Sequence, residues 1–195
     1  MKRKQSGWRC ITKMNAKIYY TIFFLCAFVL TTKAQISSFN VGGSVHVGSI
    51  AGNSPSVTSL GGTVFFDFYP WFEHDVSFRL GYSYSQKAEQ FIPENRAGRY
   101  YPFVKVLSLK GFIRQDLSFP IYLEEGAGII YLNDRTFPDV NNWQVGTSFS
   151  ASVGYDFRKV DEKGLCMNLG LDYGVTFTQT TANYFLVFLQ GQYYF

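Results

Sequence analysis

The sequence predicts an all-β protein whose mature part folds as an eight-stranded antiparallel up-and-down barrel. Apolar and polar residues alternate along almost the whole chain after residue 35, and turn residues divide this part into eight segments. No helical period of comparable length interrupts the alternation. Each segment has roughly 11–16 residues, which is longer than the usual strand of a soluble protein.

The alternation is clearest near the carboxyl end. The segment 165–179 shows it well. Up to residue 178, its odd positions carry Leu, Met, Tyr, Val and Phe, and its even positions carry Cys, Asn, Gly, Asp and Thr. The segment 144–157 repeats this pattern. A tilted strand of such length can cross a bilayer. The eight strands are predicted at 37–50, 58–69, 75–87, 101–116, 120–132, 143–158, 165–179 and 183–195.

Alternation alone does not tell which face is outside, because a soluble lipocalin-like barrel keeps its apolar face inside. In three of the segments the polar face holds mainly Ser, Gly, Thr and Asn, whereas a water-facing exterior normally carries many long charged side chains. Small polar residues suit the crowded interior of a narrow barrel, which favours a membrane-spanning barrel. Two aromatic girdles are predicted, one from Phe68, Tyr155 and Phe195 and the other from Tyr84, Tyr101, Tyr131 and Phe177.

The first 34 residues are typical of a secretory signal. Lys13 and Lys17 precede the apolar run 18–30, and the small residues Thr32 and Ala34 lie just before the predicted cleavage site. The run is shorter than the roughly 20 residues of a membrane-spanning helix, which argues against the alternative of a membrane anchor. The predicted domains are a signal peptide at 1–34, with Met14 as an alternative start, and a barrel at 35–195.

Removal of the signal changes the charge of the protein. The precursor has a net charge of +4, but seven of its basic residues and none of its acidic residues lie in the first 34 positions. The mature part keeps 11 basic against 14 acidic groups, a net charge of −3. Nucleic acid is therefore not an expected partner. Cys166 is the single cysteine after position 34, so no intrachain disulfide is expected.

Seven charged residues fall on the predicted lumen face. A charge that faces lipid near mid-bilayer costs roughly 2–4 kcal/mol for Arg or Lys, and an unpaired charge in a narrow interior is also costly. We therefore expect Arg79 and Arg114 to pair with Glu124 and one of the aspartates. This favours a lumen plugged by polar side chains over a polar conduit. The set is Asp67, Arg79, Lys110, Arg114, Glu124, Asp156 and Asp172.

Catalytic and metal-binding patterns are weak. His74 lies in a predicted turn, and His46 lies on the lumen face, where it can meet Asp172 or a serine of a neighbouring strand. Since no nucleophile motif accompanies it, a hydrogen-bonded lumen histidine is favoured and no catalytic residue is assigned. No Cys/His metal spacing or phosphate loop occurs, so neither metal nor cofactor is expected. Cys166 is predicted to be a packed residue rather than a reactive thiol.

The last segment carries Phe185, Val187, Leu189, Tyr193 and Phe195 on one face, with two glutamines opposite. Together with the signal and the eight segments, this terminal strand resembles that of the small outer-membrane β-barrel domain proteins of Gram-negative bacteria, in the broad porin-like group. The hairpins at 61–84 and 112–128 resemble their first and middle hairpins. The resemblance implies an integral outer-membrane location and assembly through periplasmic chaperones and the barrel-assembly machinery, which reads Phe195 and Tyr193.

The same resemblance suggests outer-membrane lipid and lipopolysaccharide as surroundings, a monomer, and a structural or interaction role at the cell envelope. Arg96, Arg99 and Arg135 in the outer links are candidates for contacts to lipopolysaccharide phosphates. A small pore or a loop-borne adhesin or receptor is the alternative, and an enzyme that modifies envelope lipids is third. No His follows His74, so the late-strand His, Ser and Glu pattern of the lipid A deacylases is absent.

Overall fold

The computed structural model describes residues 36–70, 75–92, 100–158, 163–178 and 181–195. The predicted signal peptide lies outside these ranges, as do His74, Arg96 and Arg99, three residues singled out from the sequence. Among the described residues, no helix is long and apolar enough to cross a membrane.

The described residues form a closed barrel of eight antiparallel strands. Neighbours in the chain are neighbours in the barrel, and β1 pairs with β8 to close it, as the sequence predicts. A short 3-10 helix, Ala88–Phe91, follows the third strand. The strands are β1 Ile36–Ala51, β2 Val57–Pro70, β3 Val76–Lys87, β4 Phe103–Ser118, β5 Ile121–Arg135, β6 Asn142–Asp156, β7 Gly164–Thr176 and β8 Asn183–Tyr194.

The strand bounds differ from the prediction by up to three residues. β5 continues through the turn-forming pair Asn133 and Asp134 to Arg135, because these residues pair with β4 on one side and β6 on the other. Pairing with two neighbours thus overrides local turn preference. Tyr101 is a second difference: it precedes β4 and is buried rather than part of the outer girdle. Outside a strand, the alternation rule does not fix the direction of its side chain.

The outer surface is apolar along all eight strands. On β7, for example, Leu165, Leu169 and Leu171 are exposed, while Cys166, Asn168 and Gly170 between them are buried. Such alternation with the apolar face outward is the arrangement of a transmembrane barrel and the reverse of a soluble one. Other outward-facing residues include Val45, Val64, Leu80, Leu109, Ile129, Phe149, Val153, Phe185 and Leu189.

The two ends of the barrel differ. We call the end that carries the β1–β2, β3–β4, β5–β6 and β7–β8 links the loop end, and the opposite end, with the start of β1 and the end of β8, the turn end. Side chains near the loop end make the interior less polar than the sequence predicts. They form an apolar cluster of Ile50, Val104, Val106, Ile130, Leu132, Ala182, Tyr184 and Leu186. On these strands both faces are apolar near the loop end, so alternation of polarity fades there.

Candidate functional site: the barrel interior and its loop end

Arg79 lies at the centre of the interior and donates to four side chains. Its Nε and one terminal nitrogen donate to the two carboxylate oxygens of Asp67, both at 2.7 Å. The same terminal nitrogen donates to Glu124 Oε1 at 2.7 Å and to Gln192 at 3.3 Å, and the other terminal nitrogen donates to Gln190 at 3.2 Å. Arg79 and both carboxylates are buried, so one guanidinium is shared between two acids.

Two aromatic rings enclose the same guanidinium. The Cζ atom of Arg79 is 4.2 Å from the ring centroid of Phe65 and 4.1 Å from that of Phe112. Cation–π contacts of this kind are stronger in a desolvated site than on the surface. Both phenylalanines lie on the same strand faces as the charged residues, Phe65 with Asp67 and Phe112 with Lys110. Their parity with the charged residues is therefore the sequence signal that places both rings inside the barrel.

Towards the loop end, Lys110 and Asp172 form a second ion pair. Lys110 Nζ lies 2.7 Å from both carboxylate oxygens of Asp172. The pair borders a cavity of about 40 Å³ whose lining mixes small polar, charged and aromatic side chains with His46. A cavity needs roughly 10–15 Å³ to hold one water, so this one has room for only a few.

His46 projects into the same cavity and is buried. Its Nε2 lies 2.8 Å from Ser85 Oγ, and its Nδ1 lies 3.5 Å from Thr63 Oγ1. The serine that His46 contacts lies on β3, two strands away from β1, and not on a neighbouring strand as expected from the sequence. Asp172 is held by Lys110 instead, and the third group in reach of the histidine is a hydroxyl. Among the described residues, His46 therefore has no carboxylate to orient it, as the base of a Ser-His-Asp triad would have.

A third group of charges, which we call the Asp156 cluster, closes the turn end. Asp156 Oδ2 accepts from Arg114 at 3.0 Å and from Arg158 at 2.7 Å, and Cys166 Sγ lies 3.1 Å from its Oδ1. The guanidinium of Arg114 lies over the ring of Tyr122 and that of Arg158 over the ring of Tyr194. Arg158 was not predicted, although its spacing of two from Asp156 places both on one face.

Between this cluster and Arg79 lies a hydrogen-bonded layer of tyrosines and amides. Tyr69 and Tyr194 hydroxyls are 2.9 Å apart, and Gln192 Nε2 donates to Tyr194 at 3.1 Å and to Tyr122 at 3.2 Å. The Tyr122 hydroxyl donates to Asn168. Buried tyrosines generally satisfy their hydroxyls in this way while filling space with the ring. The layer therefore fills the section between two charged layers.

The loop end carries a feature that the sequence analysis missed. The β1–β2 link reaches across to the end of β5, where Asp134 Oδ2 accepts from the backbone N–H of Asn53 at 3.1 Å and from its side-chain amide at 3.2 Å. Thr136 Oγ1 accepts from the Ser54 N–H at 3.2 Å and donates to Asp134 Oδ1 at 2.7 Å. We call this group, Gly52 to Ser54 with Asp134 and Thr136, the latch.

Two local features explain the geometry of the latch. Asp134 Oδ1 accepts from the N–H of Thr136, two residues ahead, which is the hydrogen bond of an Asx-turn. A Cβ on Gly52 would lie 2.4 Å from Asp134 Oδ2, so a larger residue at this position would have to displace the carboxylate. β1 and β2 lie three to four strands away from β5 around the barrel, so the link passes over the mouth.

The structure brings all seven predicted lumen charges inside the barrel, in three groups. Asp67, Arg79 and Glu124 form the first, Lys110 and Asp172 the second, and Arg114 and Asp156 the third. Arg135 does not belong to the interior: it ends β5 at the loop end, beside Phe103. Tyr193 and Phe195 lie on the outer surface at the turn end. No group of three metal-ligating side chains occurs among the described residues.

The fold and this interior define the class of protein: a small eight-stranded barrel with the architecture of the outer-membrane β-barrels. Among solved structures, Neisserial surface protein A (NspA) matches with a TM-score of 0.64 at 10% identity, covering 80% of this chain and 97% of that one. Ail, the attachment invasion locus protein of Yersinia pestis, crystallised with the heparin analogue sucrose octasulfate, matches with a TM-score of 0.50 at 8% identity, covering 81% and 99%.

A de novo designed transmembrane β-barrel matches with a TM-score of 0.50 at 11% identity, covering 83% of this chain and 98% of the design. At such low identities the likeness concerns the fold alone. No protein-family model matches the sequence, and a search of curated proteins finds no significant match.

Proposed function

We propose that this protein is an integral outer-membrane β-barrel with a structural or interaction role at the cell envelope, and that side chains plug its lumen. The exposed apolar belt supports insertion in a bilayer, because all eight strands expose apolar side chains, mainly Val, Leu, Ile and Phe. In this proposal the loop end faces outward, the turn end faces the periplasm, and the protein is a monomer exported through the predicted signal peptide.

The observation that carries the plug is the layered packing of the interior. From the loop end inward lie the latch, the apolar cluster, the small cavity, Arg79 with its partners, the tyrosine layer and the Asp156 cluster. Most of these side chains are buried, and the cavity between the apolar cluster and Arg79 measures only about 40 Å³. An eight-stranded barrel has an interior just wide enough for side chains to fill. An ion would have to displace several paired charges to pass.

The loop end supports the interaction part of the proposal. Phe91 and Ile92 after β3 and Phe137 after β5 are each nearly half exposed. Binding residues lie more often on loops than on the scaffold that carries them. A loop-borne adhesin or receptor is therefore the second candidate function.

An enzyme that modifies envelope lipids is not supported by the environment of His46. Ser85, its nearest hydroxyl partner, is 1% exposed, and His46 is 3% exposed. A lipid substrate would have to enter the barrel to reach them. We therefore interpret the pair as interior packing, together with Thr63.

Recording of ion currents across planar bilayers tests the plug. The refolded protein is expected to insert without discrete conductance steps, because side chains of the described residues fill most of the interior. Heat-modifiable mobility in the same preparation serves as the control that the barrel is folded. Reproducible steps from folded protein would contradict the plug and favour the small pore. Recovery of the protein from the inner-membrane fraction of its host would contradict the outer-membrane location.

A further inference from the structure

Two cations lie on the lipid-facing side of the barrel close to the loop end. Lys105 points outward from β4, since its neighbours Val104 and Val106 are buried inside. Arg135 ends β5 and lies directly opposite Phe103 in the register, while Lys105 lies opposite Asn133. The two cations are therefore diagonal neighbours on one strand pair, a separation of about 7–8 Å.

Aromatic side chains surround both cations. Lys105 Nζ is 5.5 Å and Arg135 Cζ is 5.7 Å from the ring centroid of Phe103. Tyr84 lies opposite Lys105 on β3, with its ring 5.6 Å from Phe103, and the ring of Tyr100 lies 6.4 Å from Phe103. Aromatic belts of this kind mark the level of the membrane–water interface. The two charges therefore lie at headgroup depth.

The cations have capacity left for a ligand. Within the described part of the chain, neither Lys105 nor Arg135 forms a salt bridge, and neither side chain is fully buried. Lys87 on the same rim differs, because Glu89 lies 2.9 Å from it. Arginine and lysine on one face, with unused donors, are the groups that bind phosphate.

We infer that Lys105 and Arg135 form a binding site for a phosphate group of lipopolysaccharide in the outer leaflet, an inference that rests on the proposed outer-membrane location. The surface below the cations fits the rest of such a molecule. Leu107 and Leu109 continue the outward face of β4, and Ile129 and Tyr131 lie beside them on β5. Phosphate at the cations and acyl chains along this apolar strip would contact one continuous surface of β4 and β5.

Native mass spectrometry of the detergent-solubilised barrel tests the site with three probes: diphosphoryl lipid A, dephosphorylated lipid A and inorganic phosphate. We expect the diphosphoryl lipid to bind and the Lys105→Gln/Arg135→Gln variant to bind it at least roughly tenfold more weakly, because two charge-assisted contacts are lost. Dephosphorylated lipid A should bind no better to the wild type than to the variant. Inorganic phosphate alone should bind weakly, since it lacks the acyl chains.

Matched variants make the result specific. Lys87→Gln removes a cation from the same rim but one that is paired, and should leave the affinity unchanged, whereas Lys105→Arg should retain binding. Equal binding of diphosphoryl lipid A by the wild type and the double variant would overturn the site. Equal binding of lipid A with and without phosphate would do the same. Either result would leave the proposed function standing. That function is contradicted by other results: absence of the protein from the outer-membrane fraction, or ion conductance by the folded barrel.

Discussion

At the scale of single residues, Arg79 is the cation that allows two carboxylates to be buried at the centre of the barrel. Its guanidinium faces Asp67 and Glu124 and lies between the rings of Phe65 and Phe112. A planar group with five donors suits this place better than lysine, because the edge binds carboxylates and the faces contact aromatic rings. Removal of one partner from such a buried pair is strongly destabilising, since the remaining charge has no counterion.

Arg79→Met should lower the free energy of unfolding by about 3–5 kcal/mol, because Asp67 and Glu124 would stay buried without their cation. Urea unfolding of the protein in lipid vesicles measures this. Arg114→Met is the matched control: Arg114 is more exposed, and Asp156 keeps Arg158 as a partner, so the loss should be nearer about 1 kcal/mol. Equal losses for the two variants would mean that the shared guanidinium has no special role.

At the scale of elements, the latch joins a link to a distant strand. The β1–β2 link is short, and from its length alone it would be expected to remain near its own hairpin. Instead, Asp134 and Thr136 of the β5–β6 side hold Asn53 and Ser54 by backbone and side-chain hydrogen bonds. The link therefore covers the apolar cluster at the loop end.

Asp134→Ala should release the link while leaving the barrel folded. We expect hydrogen–deuterium exchange at the amides of Asn53 and Ser54 to rise by roughly tenfold or more, because each lost hydrogen bond is worth about 1 kcal/mol and several are lost together. Asp139→Ala, an exposed acid in the same β5–β6 link, should leave these amides unchanged. Protection that survives in Asp134→Ala would show that the link is held by packing rather than by the carboxylate.

The latch also shows where sequence reasoning stops at this scale. The eight strands and their inward faces follow from a period of two, which is a local property and needs no partner. The contact of Asn53 with Asp134 joins residues far apart in the chain, and only barrel closure brings them together. Likewise, alternation placed Asp172 and His46 inside, but the choice of Lys110 for Asp172 and Ser85 for His46 depends on strand stagger. The apolar cluster could not be predicted in this way, because near the loop end both faces of its strands are apolar and alternation does not distinguish inside from outside.

At the scale of the whole molecule, the seam between β1 and β8 closes the barrel, and Phe195 lies at its turn end. The ring of Phe195 stacks on Phe39 of β1 at 4.9 Å, and Phe39 in turn lies 5.8 Å from Phe66 of β2. The backbone N–H of Phe195 donates to the carbonyl of Phe39 at 3.3 Å. Phe195 thus has a structural role at the seam.

Substitution of Phe195 and of Phe39 distinguishes a role in stability from a role in assembly. Phe195→Ala and Phe39→Ala both lose the stacked pair, worth about 1 kcal/mol. Phe39→Ala also loses the contact to Phe66, and Phe195→Ala also loses the edge contact to Tyr193, so the two variants should be similarly unstable after refolding in vitro. In cells we expect Phe195→Ala to be depleted more than Phe39→Ala, because the resemblance drawn from the sequence implies that the assembly machinery reads Phe195. Quantitative immunoblots of the outer-membrane fraction, with Phe149→Ala on the lipid face of β6 as control, measure this. If Phe39→Ala lowers the outer-membrane level as much as Phe195→Ala, the terminal ring matters for barrel closure alone and the assembly signal lies elsewhere.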